Sequence, residues 1–158
     1  QNKNQEEDQD KLQELHEIIE FLLNAEFVSA CLKVLSHSRD LIRVSAAFVL
    51  SKIFQDESGK KYVYDNKERA VMILTVLNDI LTELGTNFDP QLSKNVVDAY
   101  KALLPTLTST NNNDSIIQMI GSLISNNLRS MAIKPNCDGP YRDLVGQLRN
   151  FPSKGVKR

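Results

Sequence analysis

The sequence has no tryptophan and few aromatic residues, since six phenylalanines and four tyrosines make up 6% of its 158 residues. It has two cysteines, Cys31 and Cys137, too few for a disulfide scaffold, and nothing in this cysteine usage suggests secretion. No apolar run approaches the roughly 18 residues that a membrane span needs, so an integral membrane protein is excluded. A hydrophobic content of 41% and a charged content of 25% are typical of a soluble globular domain.

The residue patterns that catalysis requires are also missing. The six glycines stand alone, so no glycine-rich phosphate loop is present. His16 and His37 have no histidine or cysteine at metal-ligand spacing, and we expect His16 to be a solvated residue on a polar helix face. We expect Cys31 to be buried and Cys137 to be an exposed loop thiol. We therefore predict no catalytic residues, no metal and no cofactor, and a protein that is not an enzyme.

The start of the chain has no signal-peptide pattern. Gln1 opens a polar stretch without the basic and apolar regions of a leader. We therefore expect an intracellular protein, cytoplasmic or nuclear, and a domain that belongs to a longer parent.

The net charge of −1 conceals an uneven distribution. Residues 1–26 carry eight acidic residues against two basic ones, and residues 129–158 carry seven basic residues against two acidic ones. The middle of the chain is neutral. We expect these charges mainly to solvate the two ends.

Apolar residues recur every three or four positions along most of the chain, which predicts amphipathic helices and no strands. The helices are predicted at residues 11–23, 27–35, 41–54, 70–84, 90–104, 115–131 and 141–148.

Local signals place the helix ends. We expect Asp40, Asp89 and Asp114 to cap helices, with Pro90 in the first turn of its helix. Gly59 and Gly85 are expected to end the helices before them, and residues 60–69 to form a polar linker.

Six or seven helices with short connections are compatible with a closed helical bundle or with a right-handed α-solenoid. The spacing of the apolar helices, with starts at Phe27, Val71 and Ile116, gives a repeat of about 40–47 residues and favours the solenoid. Leu50 is expected in the core, with Ile42, Ala46 and Ile53 on the same side of its helix.

The run Ser45–Ile53 resembles the third helix of an armadillo repeat, with small residues at Ala46 and Ala47 and a core leucine at Leu50. Ile120–Asn127 gives a second match, and Ala99–Leu103 a weaker middle one in which Lys101 takes the position usually held by tryptophan. The resemblance implies a short armadillo/HEAT-like repeat domain over residues 11–133. A flexible acidic segment would precede it at residues 1–10. Residues 134–158, with proline and glycine, a weak helix and a basic tail, would follow.

The armadillo resemblance also implies a function. Third helices in that family line a concave groove that binds partner peptides or helices. By matching positions, Phe48, Lys52 and Asn126 would face this groove, with Arg43 one turn before Phe48. We therefore expect a protein-interaction scaffold whose partner segment carries acidic and apolar residues. The alternative interpretation, which has about equal weight, is that Phe48 is buried in the core.

A different class of function remains open, which is self-association into a homo-oligomer. The first helix carries Leu12, Leu15, Ile19 and Leu22 at heptad-like spacing, and the charges of the two ends are opposite. Nucleic acid is not an expected partner, because the basic residues cluster only in the tail and the domain as a whole is slightly acidic.

Overall fold

The structure is a computed structural model that describes residues 2–23, 26–37, 41–105 and 112–152. Within these ranges it contains nine helices and no strand, which confirms the predicted all-α class. The helices are α1 (Asn2–Leu23), α2 (Phe27–His37), α3 (Ile42–Gln55), α4 (Glu57–Tyr64), α5 (Lys67–Thr86), α6 (Pro90–Leu103), α7 (Asn112–Leu123), α8 (Asn126–Ser130) and α9 (Gly139–Arg149).

The helices form three triplets, α1–α3, α4–α6 and α7–α9, that stack one on the next. Helix α1 packs against α4, α2 against α5, and α3 against α6 in the most extensive helix–helix contact. In the third triplet, α8 packs against α5 and α9 against α6 as the pattern requires, whereas α7 packs against α5. Contacts that repeat every three helices are the arrangement of an α-solenoid.

The burial pattern gives the register between the third helices of the triplets. Six of the seven buried positions of α3 recur in α6 at a constant offset of 49 residues, and four of these α6 positions recur at the same offset in α9. The matched positions are Arg43 with Leu92 and Tyr141, Ala46 with Asn95 and Leu144, Ala47 with Val96 and Val145, Leu50 with Ala99 and Leu148, Ser51 with Tyr100, and Phe54 with Leu103. The buried positions of Ala46, Leu50 and Ile53 confirm the predicted core face of α3, whereas Ile42, in its first turn, is 54% exposed.

The predicted linker at residues 60–69 is wrong, because residues 60–64 lie in helix α4 and residues 67–69 in helix α5. The α3 helix ends at Gln55, and the Asp56 carboxylate accepts a hydrogen bond from the Ser58 amide to cap α4. Gly59 is therefore not a helix end. It lies in the first turn of α4, where a β-carbon would come within 1.8 Å of the Ile53 carbonyl oxygen. Glycine permits this close packing of α4 on the end of α3.

Other helix limits also differ from the predictions, and three of them involve predicted end signals or a break in a helix. Gly85 does not end α5, which continues to Thr86. The helix predicted at residues 115–131 is broken into α7 and α8, because the Ser125 hydroxyl accepts from the Leu128 amide and starts a new helix. Helix α7 begins at Asn112, two residues before the predicted start at Asp114.

The two chain ends give different outcomes. Helix α1 begins at Asn2, nine residues before the predicted start, so residues 2–10 are helical. The predicted flexibility of residues 1–10 stays a prediction. The predicted cap Asp40 and residues 153–158 of the basic tail lie outside the described residues.

The helix over residues 90–104 was predicted well. The Asp89 carboxylate accepts from the amides of Gln91 and Leu92, and Pro90 occupies the first turn. Asp-Pro is a strong local signal, because the carboxylate satisfies free amides and proline needs none.

Candidate partner-binding site

The exposed side of α3 carries the aromatic residue expected at a binding groove. Phe48 is 49% exposed, so it is not a core residue. Lys52 follows one turn later on the same face, and its Nζ lies 5.2 Å from the centroid of the Phe48 ring. That distance is within the range of a cation–π interaction. The sequence of α3 contains no acidic residue, so Lys52 has no carboxylate on its own helix.

Phe48 lies beside the contact between α3 and α6. The side-chain amide of Asn95 on α6 donates to the carbonyl oxygen of Val44 at 3.0 Å, which places α6 along that side of α3. Phe48 is one turn after Val44 and therefore borders the same contact. An apolar partner side chain could rest on Phe48 and be enclosed by two helices.

A second lysine extends this surface. In the register of the buried positions, Lys52 on α3 corresponds to Lys101 on α6, and both are exposed. Lys94, nearer the start of α6, is paired with Asp98 at 3.3 Å. We call Phe48, Lys52 and Lys101 the α3–α6 face. It combines an exposed aromatic ring with two lysines at equivalent positions on neighbouring helices.

The sequence motif alone does not reveal that Lys101 belongs to this surface. The motif match aligned Ala99 with Ala46 and so set Lys101 opposite Phe48. Burial aligns Ala99 with Leu50, which moves Lys101 opposite Lys52. A signal existed in the sequence, because a lysine follows the core position by two residues in both helices.

Arg43 does not share the α3–α6 face. It is 8% exposed and lies on the buried side of α3. Its guanidinium donates to both carboxylate oxygens of Glu83, at 2.8 and 3.1 Å, and its Nε donates to the carbonyl oxygen of Leu35. Five residues of helix turn the chain by about 140° beyond a full circle, so Arg43 and Phe48 point to different sides.

Asn126 is also away from the α3–α6 face. It is exposed at the start of α8, a helix that packs against α5 and α9. The armadillo resemblance makes Ile120–Asn127 part of a third helix, but this run spans the end of α7 and the start of α8. The third helix of the last triplet is α9. The structure thus brings Phe48 and Lys52 together and separates Arg43 and Asn126 from them.

His16 is partly exposed, with 35% of its side chain accessible, but it also has acidic partners that we did not expect. Its Nδ1 lies 3.0 Å from both carboxylate oxygens of Asp56, and its Nε2 lies 3.1 Å from Glu20. The hydrogen bond to Asp56 is the main cause that raises the pKa of His16, and the charges of Asp56, Glu20 and Glu17 add to it against partial desolvation. His16 therefore links α1 to the cap of α4.

The two cysteines are both unpaired and buried. Burial of Cys31 agrees with the prediction, and it raises the pKa of this thiol. Cys137 contradicts the prediction of an exposed loop thiol, since it is 5% exposed and its Sγ lies 3.6 Å from the carbonyl oxygen of Leu84. The loop that carries Cys137 packs on the end of α5, which a local sequence pattern does not reveal.

A cleft of about 720 Å³ lies between the start of α5, α7 and Pro152. Tyr64, Ile116 and Met119 are among its lining residues, and Lys67 is a charged residue there. The Tyr64 hydroxyl donates to the carbonyl oxygen of Leu103, and burial raises its pKa well above the ordinary value. A buried, bonded tyrosine of this kind is a poor general base.

The described residues offer neither a metal site nor a membrane-spanning helix. In the described part of the chain, no three histidine, cysteine, aspartate or glutamate side chains lie close enough to hold a metal ion. None of the helices described is both long and apolar enough to cross a membrane.

Comparison with known proteins identifies the family. The profile of the family described as "Cell differentiation family, Rcd1-like" matches residues 8–148. The cell differentiation protein rcd1 of Schizosaccharomyces pombe is 31% identical over 87 residues, which cover 55% of this chain and 31% of that protein. Protein CAF40 of Saccharomyces cerevisiae is 32% identical over 88 residues, which cover 55% of this chain and 24% of that protein. The aligned part thus spans less than a third of either relative. Because the family profile matches most of the length of this chain, the chain belongs to the Rcd1-like cell differentiation family.

Proposed function

We propose that this domain is a non-catalytic protein-interaction scaffold that binds a partner segment on the α3–α6 face. The observation that carries the proposal is Phe48, an aromatic side chain left 49% exposed on a helix whose other side is fully packed. Large aromatic anchors of this kind dominate the energy of protein–protein interfaces. The armadillo-like resemblance and the stacked helical triplets both support a binding role.

The charges of the α3–α6 face define the chemistry of the partner. Lys52 and Lys101 are exposed, and neither α3 nor the neighbouring exposed turn of α6 offers them a carboxylate, because Asp98 is held by Lys94. A partner segment with aspartate or glutamate next to an apolar anchor would satisfy both lysines and cover Phe48. Arg43 does not contribute, since Glu83 already neutralises it.

Selection of peptides from a random displayed library on the immobilised chain tests the proposal. We expect the selected peptides to share an aromatic or aliphatic residue with an acidic residue close by. Selection on the Phe48→Ala variant should lose these sequences. Met72 provides a matched control, because it is also exposed, at 44%, but lies on α5. The Met72→Ala variant should return the same peptides as the wild type, and selection of basic peptides would contradict the proposal.

A further inference from the structure

A histidine between two carboxylates joins helix α1 to the second triplet. The imidazole of His16 on α1 lies between the Asp56 carboxylate, which caps α4, and the Glu20 carboxylate on its own helix. Its Nδ1 is 3.0 Å from both carboxylate oxygens of Asp56, and its Nε2 is 3.1 Å from Glu20. Both ring nitrogens therefore face carboxylate oxygens. We call His16, Glu20 and Asp56 the α1–α4 clasp.

The protonation state of the imidazole decides whether both contacts of the clasp are favourable. A neutral imidazole has one N–H group and one lone pair, so it donates to one carboxylate and turns its lone pair towards the other. Only the imidazolium donates from both nitrogens. When the proton leaves, the negative charges of Glu20 and Asp56 also lie on either side of a neutral ring. A bound proton therefore favours the docking of α1 on α4.

The lysines of α4 are held by carboxylates of their own segment. Lys60 is paired with Glu57 at 3.3 Å, and Lys61 is paired with Asp65 at 3.4 Å. The Asp56 side chain is 17% exposed, so its charge is screened less than the charges of these two surface pairs. The cation that lies against Asp56 in the clasp is thus the imidazolium of His16.

The remaining charges near α1 come from α1 itself and from α2. On α1, Glu17 adds a negative charge that acts on the His16 ring. Helix α2 also packs against α1, and its titratable side chains are Cys31, Lys33 and His37. None of these three is among the groups that act on His16. The balance of charge around the ring is therefore set by carboxylates.

The joint between the first two triplets has a strong side and a weak side. The contact of α3 with α6 is the most extensive between two helices, and it includes the hydrogen bond from Asn95 to the Val44 carbonyl oxygen. On the other side of the joint, Ile19 is the buried side chain of α1 among those that are described. The clasp is therefore a large part of what holds α1 on α4, whatever segment packs on the far side of α1.

We propose that the α1–α4 clasp is a proton-operated switch, in which protonated His16 holds α1 on α4 and loss of its proton to water releases α1 while the α3–α6 contact stays closed. No other bond forms or breaks covalently. The hydrogen bond with Asp56 is the main cause that raises the pKa of His16 above 6.5. The docked arrangement therefore binds the proton more tightly than the released one, and release occurs as the pH rises through the raised pKa.

Hydrogen exchange of the full chain, resolved by segment with mass spectrometry, tests the switch. Exchange rates are converted to protection factors, which removes the intrinsic effect of pH on the exchange reaction. The protection of residues 12–23 in the wild type should fall at least about threefold between about pH 6 and pH 8.5, because a released helix keeps few tertiary contacts. At the higher pH these amides should be at least about tenfold less protected than those of α6.

Two substitutions of His16 should abolish the pH dependence in opposite ways. Arginine stays charged and offers planar donors to two carboxylates, so His16→Arg should keep α1 protected at both pH values. Glutamine cannot carry the proton, so His16→Gln should show the low protection at both. Asp56→Asn is the control for the partner, because asparagine still caps a helix but has no charge, and its pH dependence should be smaller than in the wild type. His37, the other histidine, is intact in all three variants.

Three results would overturn the proposal. The first is constant protection of α1 in the wild type across this pH range. The second is a fall of wild-type size in His16→Gln or His16→Arg, because another group would then be titrating. The third is equal protection of α1 and α6 at the higher pH, because α1 would then open only when the whole domain unfolds.

Discussion

The Arg43 guanidinium holds the Glu83 carboxylate through two parallel hydrogen bonds, Nη1 to Oε2 at 2.8 Å and Nη2 to Oε1 at 3.1 Å, and so ties the first triplet to the second. The Nε of Arg43 donates to the carbonyl oxygen of Leu35 at the same time. Three helices, α2, α3 and α5, therefore meet at one side chain. Bidentate contacts of this kind are among the strongest hydrogen bonds in proteins.

Replacing Arg43 should destabilise the fold without a specific effect on partner binding. Arg43→Ala removes the charged hydrogen bonds and leaves the Leu35 carbonyl and Glu83 without this donor, so we expect the free energy of unfolding to fall by about 2–3 kcal/mol. Glu83 is 35% exposed and can be solvated, which limits the loss. Lys52→Ala on the same helix should change stability by less than about 0.5 kcal/mol. Urea denaturation measures both, and equal midpoints for Arg43→Ala and wild type would contradict the structural role.

The place of Arg43 illustrates what the sequence could not reveal. Periodicity marked the buried side of α3 correctly through Ala46, Leu50 and Ile53, because apolar spacing reports the core directly. The neighbouring sequence does not explain why the charged Arg43 lies on the buried side, since its partner Glu83 is 40 residues away. The same reason explains the contact between Asp56 and His16, which lie 40 residues apart, whereas the capping of α4 by Asp56 is a local bond to the Ser58 amide.

Short polar helices were equally hard to predict. Helix α4 begins with a glycine in its first turn and has Val63 as a buried apolar residue. Its formation depends on the Asp56 cap and on contact with the end of α3, because eight residues alone make a marginal helix. The Phe48–Lys52 half of the candidate site, by contrast, was predictable, since residues four apart share a helix face.

Gly59 tests the contact between α3 and α4. A methyl group at this position would collide with the Ile53 backbone carbonyl, so Gly59→Ala should lower the free energy of unfolding by about 1–3 kcal/mol. Gly146 on α9 is the matched control, because a β-carbon there meets no atom within 4 Å. Gly146→Ala should raise the stability by about 0.5–1 kcal/mol through helix propensity. Thermal or urea unfolding that shows the same sign of change in both variants would disprove the close contact at Gly59.

The His16–Asp56 contact predicts a pH dependence of stability. The pKa of His16 is raised above the ordinary 6.5 because the Asp56 carboxylate bonds the ring, so the folded state favours the protonated form. The stabilising contribution is fully present below the unfolded pKa and is lost as the pH rises through the raised folded pKa. The difference in unfolding free energy between wild type and His16→Gln should therefore be larger near pH 6 than at about pH 8.5.

The same comparison in an Asp56→Asn background is the control for His16. Without the carboxylate, the ring loses its main cause of a raised pKa, and the dependence on pH should shrink. A wild-type advantage over His16→Gln that is constant across this pH range would show that protonation of His16 plays no part.

The affinity of one selected peptide for wild type, Phe48→Ala, Lys52→Ala and Met72→Ala tests the central claim most directly. Phe48→Ala should weaken binding about 30-fold, the effect of losing a buried aromatic anchor of about 2 kcal/mol. Lys52→Ala should weaken it less than about fivefold, because an exposed charge pair contributes at most about 1 kcal/mol, and added salt should weaken the wild-type interaction. Met72→Ala should bind as the wild type does, and all four chains should keep the same helical content. Unchanged affinity in Phe48→Ala, or unfolding of that variant, would contradict a partner-binding site on the α3–α6 face.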